Sequence, residues 1–296
     1  MASRTQTIRS LWRAALLVLV VDAVLAAGRG FFWEPNSLVV REYTLELPRW
    51  PEALNGFRIA AVGDIHAGAP YVDEAKVREI VRLVSEANTD LVVWLGDYVI
   101  QRVAGGTFIE PEKTAAILAG ARSRFGQTAI IGNHDRWLDS PRIERAFQRA
   151  SIPFLRGQSR TLSIRDVRLR LVGLDDFESW RGYWSELNRQ FAEWRALPEA
   201  DPILLLSHNP DVFPWVPARA ALTIASHTHG GQVRVPLLGS LIVPSSFGQD
   251  FAVGHIVRKG RHLFVNTGIG TSIIPVRLGV PPEISILTLK HEGAAH

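Results

Sequence analysis

Short apolar blocks alternate with helix-period stretches along most of this chain, and their order predicts the architecture. Residues 57–62, 91–95, 129–131, 203–206 and 222–225 are apolar runs interrupted only by Arg58 and Thr223, the pattern of strands buried on both faces. After the first of them, 72–87 places Val77, Ile80, Val81 and Val84 on one helical face. A second helix is expected at 110–122, with Pro111 in its first turn. A third follows the strand at 127–131, capped by Asp139 or Ser140 with Pro141 at its first position. Strands and helices in this alternation pair their strands in parallel. Further along, 161–164 and 167–172 flank an Arg165-Asp166 turn, and 251–257 and 262–265 flank Lys259-Gly260, which reads as two hairpins. Residues 39–47 alternate as an edge strand would, and Pro48 and Pro51 end them. A parallel half followed by a hairpin-rich half predicts an α/β fold of two mixed sheets packed face to face, with helices outside.

The N-terminus follows a different pattern. Arg4, Arg9 and Arg13 precede the run 14–27, which is apolar except for Asp22. That run is shorter than the roughly 20 residues of a usual spanning helix. A basic start ahead of Val24-Leu25-Ala26 also suits a cleavable leader. Leu11-Trp12 on one side and the aromatic Phe31-Phe32-Trp33 on the other favour a retained anchor. Asp22 opposes it, since a central Asp costs about 2.5–3.5 kcal/mol on insertion. An N-terminal helix of a soluble protein is the remaining reading. Three arginines before the segment favour an N-in, C-out orientation, which Arg29 weakens. The expected division is an anchor or signal segment at 1–33, a lead-in with an edge strand at 34–56, and one α/β domain at 57–290.

Composition narrows the classes. At 296 residues and 47% hydrophobic content the chain can build one large globular domain or two small ones. It contains no cysteine, which excludes disulfides and zinc-thiolate sites. A net charge of +4 suits an anionic partner, yet no basic block supports a dedicated nucleic-acid site.

Chemistry concentrates where the apolar runs stop. Gly63-Asp64-Ile65-His66, Gly96-Asp97, Gly132-Asn133-His134-Asp135, Ser207-His208 and Ser226-His227-Thr228-His229 each follow one of the buried runs. Open α/β sheets bind ligands beyond the carboxyl ends of their strands. Residues i and i+2 of a strand point the same way, so Asp64 with His66, and His227 with His229, can aim paired donors at one spot. A single Gly-Asp or His-Xaa-His is more often a turn or a satisfied histidine. Five of the nine histidines in these motifs, with two Asp and one Asn, together describe a hard-metal hydrolytic site.

This ordered set resembles the calcineurin-like metallophosphoesterase superfamily. Its signature is Asp-Xaa-His, Gly-Asp, Gly-Asn-His-Asp/Glu, a lone His, then Gly-His-Xaa-His. The resemblance covers roughly 57–290 and implies a four-layer α-β-β-α sandwich and a metal-dependent phosphoric ester hydrolase. It places one metal on Asp64, His66 and His229, the other on Asn133, His208 and His227, and Asp97 as the bridge. His134 would be the catalytic residue that stabilises the transition state or protonates the leaving oxygen. Two such ions, about 3.5–4 Å apart, clamp the attacking and leaving oxygens of an in-line displacement. Mixed nitrogen and oxygen donors suit Mn, Fe, Zn, Ni or Co better than an all-Mg site.

Two departures from the signature matter. Ser226 stands where Gly is usual. Ile100 and Gln101 stand where the serine/threonine phosphatases carry an Asp that orients the catalytic His and an Arg that grips phosphate, so the protein-phosphatase reading drops. Asp135 and the Asp175-Asp176 pair are candidates to orient His134, although a helix-start cap and a loop turn explain either one alone. His229-Gly230-Gly231-Gln232 and Asn266-Thr267-Gly268-Ile269-Gly270-Thr271-Ser272 look like the membrane-associated bacterial phosphodiesterase subgroup. So do Pro275, Arg277, Gly279 and Pro281-Pro282-Glu283.

Substrate is less legible. Trp180, Trp184, Leu187, Phe191 and Trp194 form a helical stripe, more often a core face than a lipid-facing lid. Arg136 and Arg277 could grip phosphate, though surface arginines are commoner. Trp137 would contact substrate or wall the pocket. Together, the anchor, basic charge and aromatic content direct the expectation to a phosphodiester or pyrophosphate bond in a lipid or envelope component. UDP-diacylglucosamine is one version the resemblance allows. The expected setting is a bacterial inner membrane, with the catalytic domain on the periplasmic side. A phosphodiesterase or phosphomonoesterase for soluble nucleotides and a non-catalytic metal-binding scaffold are the alternatives. No nucleic-acid partner is expected, and the sequence does not set the oligomeric state.

Overall fold

Alternation within the short apolar runs gives most strands two buried faces, and the computed structural model shows what each face meets. It describes residues 4–101, 103–176 and 180–293. The strands begin with β1 (Val39–Leu47), β2 (Phe57–Val62), β3 (Leu91–Trp94), β4 (Gln127–Ile130) and β5 (Phe154–Leu155). Next come β6 (Gln158–Ile164), β7 (Val167–Gly173), β8 (Ile203–Leu206) and β9 (Ala220–Ala225), then the short pair β10 (Arg234–Val235) and β11 (Gly239–Ser240). The last are β12 (Gly254–Arg258), β13 (Arg261–Val265) and β14 (Glu283–His291). The helices are α1 (Arg4–Gly28), α2 (Glu74–Glu86), α3 (Pro111–Leu118), α4 (Asn133–Arg149) and α5 (Trp180–Arg195).

Two six-stranded sheets result, ordered β1-β14-β2-β3-β4-β5 and β12-β13-β9-β8-β7-β6. In β2, Ile59 and Ala61 join a core with Leu171, Leu204, Leu206, Leu222 and Ile224 of the second sheet. Ala60 and Val62, the intervening residues, join Val77, Ile80, Leu118 and Phe147 of the helices instead. On the far side, Leu187, Phe191 and Trp194 of α5 pack with Val172, Ile203 and Leu205. The layers are therefore α-β-β-α. These three α5 residues form a core face, while the side chains of Trp180 and Trp184 lie outside the described residues.

Several elements differ from the sequence pattern. β14 was not anticipated, yet it lies between β1 and β2, parallel to the first and antiparallel to the second. Its alternation sends Ile284 and Ile286 to the helix layer and Leu287 and Leu289 between the sheets. α4 starts at Asn133 and breaks at Asp139 (φ −174°, ψ 91°). Asp139 does cap the segment after the break, accepting from the Arg142 N–H at 3.0 Å, as expected. Phe251 is not in a strand but in the short turn Gly248–Phe251, buried 5.9 Å from the Phe213 ring.

α1 extends beyond the apolar run at both ends. The span Ile8–Asn36 is long and apolar enough to cross a membrane. The 25 residues of α1 reach about 37 Å at a rise of about 1.5 Å each, more than the roughly 30 Å of a hydrocarbon core. The segment after α1 is fastened to the loop ahead of β14. Gly30 O accepts from Arg277 N at 2.9 Å, and buried Glu34 accepts from Val280 N at 2.6 Å while pairing with Arg29 at 3.0 Å.

Asn266, at the end of β13, ties the two sheets together. Its Oδ1 accepts from Gly63 N (3.2 Å) and Gly268 N (2.9 Å), and its Nδ2 donates to Ser285 Oγ (2.8 Å) and Glu283 O (3.2 Å). Asn266→Ala would leave two buried N–H groups without an acceptor, at a cost of roughly 2–4 kcal/mol. Urea denaturation in detergent should show a correspondingly lower midpoint; an unchanged midpoint would remove Asn266 from this role.

Candidate metal centre

The parallel strands β2, β3, β4, β8 and β9 end on one side, and the loops leaving them carry the predicted donors. These residues are not aimed by strand pleating, because β2 stops at Val62 and β9 at Ala225, before the donors begin. Left-handed turns aim them instead. Asp64 (φ 47°), His66 (φ 45°), Asp97 (φ 56°), His227 (φ 72°) and His229 (φ 51°) all hold positive φ. Each such non-glycine residue costs of order 1–3 kcal/mol, a strain that persists only where surrounding structure enforces it. Here Asp64 N donates to Gly96 O (3.0 Å), His66 N to Asp97 O (2.9 Å) and Ser226 N to His208 O (2.9 Å), so each loop is pinned to the next. A Cβ on Gly132 would overlap the Asp97 carboxylate, which is why that position must be glycine.

All seven predicted donors converge. His66 Nε2 lies 3.3 Å from His229 Nε2, which is 3.5 Å from Asp64 Oδ1. His208 Nε2 lies 3.0 Å from Asn133 Oδ1 and 3.2 Å from His227 Nδ1. Asp97 Oδ2 stands between the two groups, 3.7 Å from His66 Nε2 and 3.3 Å from His208 Nε2. His66 Nδ1 faces Val99 O (3.1 Å) and His208 Nδ1 faces Leu95 O (2.7 Å). A carbonyl at that position takes the Nδ1–H, so each Nε2 is directed inward and offers a lone pair to a metal once the ring is neutral. Asp64 Oδ1 is buried with no hydrogen-bond partner. Converging lone pairs and an orphaned carboxylate oxygen are unfavourable on their own and are satisfied by a cation. The donor set fits divalent metal.

The charges are strongly coupled. Burial pushes the Asp97 carboxyl up, but His208, His134 and His66 together outweigh it and hold it well below the usual carboxylate range. Burial pushes His208 down, and Asp97 and Asp64 more than reverse this, so its pKa lies well above the ordinary imidazole value. Burial, then the neighbouring His208, lowers His227 to about 4. Burial also lowers His229 to about 3, with His66 and Arg277 adding to the effect. Both therefore keep free lone pairs at neutral pH.

The calcineurin-like phosphoesterase family profile matches residues 57–238, the stretch that carries all these donors and His134. The chain belongs to the calcineurin-like phosphoesterase family. It is similar to the metallophosphoesterase YkuE of Bacillus subtilis, 26% identical over 298 residues, covering 97% of this chain and 98% of the relative. The phosphodiesterase YaeI of Escherichia coli is 28% identical over 283 residues, 90% of this chain and 95% of that one. A transmembrane protein with a metallophosphoesterase domain from Danio rerio is 28% identical over 296 residues, 94% of this chain and 63% of its own. The protein is accordingly a metal-dependent phosphoester hydrolase.

Within this calcineurin-like site, the two departures have structural answers. Ser226 Oγ donates to Asp64 Oδ2, which also accepts from His227 N at 3.0 Å, so the serine helps fix a predicted ligand. Gln101 Nε2 donates to His134 O at 3.2 Å and braces the loop through its backbone. His134 N donates to Asp97 Oδ1 at 2.8 Å, and its ring lies 4.7 Å from His66 and 4.9 Å from the exposed Trp137. Among the described residues its Nδ1 is buried with no hydrogen-bond partner, so neither suggested acid hydrogen-bonds to that nitrogen. Asp175 is held by Arg136 (3.3 Å) and Arg156 (2.9 Å). Arg277 is neither at the surface nor free for phosphate. It is fully buried, donates to Gly270 O (2.6 Å), Thr267 O (3.0 Å) and Val280 O (3.1 Å), and sits 3.4 Å from His229 Nδ1.

Asp135 is the helix-start cap that the sequence allowed, closing on the Gly132 N–H, and it has a further task. Its carboxyl accepts from Asp97 N (2.7 Å), Tyr98 N (2.8 Å) and Gly132 N (3.1 Å), holding the Asp97 turn against the start of α4. Burial and the Asp97 charge push its pKa up to about 8, against the N–H donors that favour the charged form. Asp135→Ala strands these N–H groups and should cost at least about 2 kcal/mol. It should also weaken metal binding, because Asp97 loses its support. Thermal unfolding with and without added metal reads both effects, and wild-type behaviour in both would exclude this role.

Proposed function

We propose that this protein hydrolyses a phosphodiester or pyrophosphate bond in a lipid or envelope component, using two divalent ions drawn from Mn, Fe, Zn, Ni or Co. Asp64, His66 and His229 would hold one ion, Asn133, His208 and His227 the other, with Asp97 shared. The observation that carries the reading is the convergence of the His66 and His208 Nε2 atoms on two carboxylates, one with an oxygen that has no hydrogen-bond partner among the described residues. Such ions would supply Lewis acidity to the phosphoryl oxygens and a water acidic enough to attack near neutral pH. Asp97 and Asp64 keep their charge through the surrounding imidazoles, and Ser226 fixes the Asp64 carboxylate. His134, at the edge of the cluster beside exposed Trp137, is the group placed to hydrogen-bond or protonate the leaving oxygen.

The lipid assignment is supported by α1, which is long and apolar enough to span a bilayer. It is also consistent with YaeI being named a phosphodiesterase and the Danio rerio relative a transmembrane protein. Residues 1–33 then act as the anchor of a bacterial inner-membrane protein, β1 belongs to the 34–56 lead-in, and 57–290 form the catalytic domain on the periplasmic side.

Metal-stripped protein should hydrolyse bis(p-nitrophenyl) phosphate only after metal is restored, and Asp97→Asn should abolish turnover. His134→Ala should lower kcat by about 10²–10⁴-fold while metal still binds. Turnover surviving Asp97→Asn would remove this site from the chemistry. A faster reaction with soluble nucleotides than with a detergent-solubilised lipid pyrophosphate would transfer the assignment to the soluble substrate. Because Asp97 and Asp64 raise the His208 pKa and a metal-ligating imidazole must be deprotonated, protons compete with metal at this residue. Affinity should then weaken as pH falls, which calorimetry in buffers of different ionisation enthalpy would read.

A further inference from the structure

Large apolar side chains stand exposed on loops that adjoin the metal centre. Leu237 is fully exposed at the tip of the β10–β11 hairpin, and Ile242 is 82% exposed just after it. Ile273 is 71% exposed on the loop ahead of β14, and Phe32 and Trp33 are 72% and 73% exposed beyond α1. Leu237 (φ 68°) and Ile273 (φ 64°) also hold left-handed backbone, rare for a bulky residue and rarer for a β-branched one. An apolar side chain left exposed on left-handed backbone gains little packing inside the fold to offset that strain, which points to an external contact.

These loops form one connected strip. Gln232 Nε2 donates to Ile274 O (3.3 Å), Gln232 Oε1 accepts from Ser272 N (2.6 Å), and Arg234 N donates to Leu278 O (2.7 Å). Arg277 N donates to Gly30 O (2.9 Å) at the base of α1, so the strip continues into the apolar helix. It is equally joined to the site. Gly270 N donates to Asp64 O (2.7 Å) and Ser240 Oγ to Gly230 O (2.6 Å), beside His229. Ile273 follows Gly270 by three residues, which a chain spans in at most about 11 Å. Neither 230–249 nor 266–282 contains an acidic residue, and exposed Arg234 lies in the first.

We infer that the β10–β11 hairpin with Ile242, and the Ile273 loop, insert into the lipid leaflet beside the base of α1, so that the metal centre opens at headgroup level. The inference rests on α1 being the membrane anchor proposed above. A bilayer is the occupant because the strip is continuous with a helix apolar enough to cross one. An acid-free, arginine-bearing apolar edge also matches an anionic lipid surface. A phosphoester carried by a lipid would then reach the donors without leaving the leaflet.

The chain has no cysteine, so single positions can be labelled in the full-length protein. Leu237→Cys, Ile242→Cys and Ile273→Cys would each carry an environment-sensitive fluorophore, in vesicles of phosphatidylethanolamine and phosphatidylglycerol with brominated acyl chains. Leu17→Cys, within α1, reports the anchor. Asp166→Cys, in the β6–β7 turn at the opposite end of the parallel strands, reports aqueous surface. Bromine should quench labels at 237, 242 and 273 as it quenches the label at 17, with no loss at 166. Quenching at 17 alone overturns the inference and leaves the anchor standing. No quenching at 17 overturns both, while the hydrolysis assay with soluble diester still judges the catalytic reading separately.

Discussion

Imidazole lone pairs and carboxylate oxygens that face one another across a few ångströms repel unless a cation lies between them, and the rest of the structure serves to hold them there. The five left-handed residues alone store about 5–15 kcal/mol, similar to the net stability of a typical domain. Two sheets contribute loops to the site, so neither can shift without moving donors. Asn266 joins the sheets immediately below, and Asp135 secures the Asp97 turn through backbone N–H groups. Metal binding then returns free energy to the native state by mass action, which makes the loaded protein the stable one.

The same constraint reaches the N-terminus. Arg277 is buried against His229 with its guanidinium spent on carbonyls, and burial lowers its pKa to about 10. Its backbone N–H binds Gly30 O, and Glu34 caps Val280 N three residues further along. The base of α1 therefore packs on the loop that braces one predicted ligand. If α1 is the anchor proposed above, a helix joined this way would orient residues 57–290, whereas a flexible tether would only localise them.

Much of this was legible in the sequence, for a physical reason. Buried strands need continuous apolar runs, and ligands collect where those runs end, so β2, β3, β4, β8 and β9 and their seven donors could be read together. β14 was missed although Pro281-Pro282 marks its start, because Glu283, Ser285, Thr288 and Lys290 break up the apolar run, and its place between β1 and β2 is set by long-range pairing. The way the donors are aimed was also not legible. Period-two reasoning put Asp64 with His66 on one strand face, but positive φ at each residue does the aiming, and sequence carries φ only weakly outside glycine. The tasks of Asp135, Ser226 and Arg277 depend on which backbone groups surround them. Spacing along the chain does not contain that information.

That His134 Nδ1 has no hydrogen-bonded acid among the described residues bears on the choice between the two proposed bonds. Burial, with His66 and His208, lowers the His134 pKa further than the Asp97 and Asp64 charges raise it, which favours the neutral ring near pH 7. A neutral imidazole offers one N–H as a hydrogen-bond donor but little proton-transfer power. An alkoxide leaving from an alkyl diester is strongly basic and needs a proton. A phosphomonoester leaving from a pyrophosphate has a second pKa of about 6 and departs without one. Of the two bonds in the proposed function, the pyrophosphate would make the smaller demand on His134 as a proton donor.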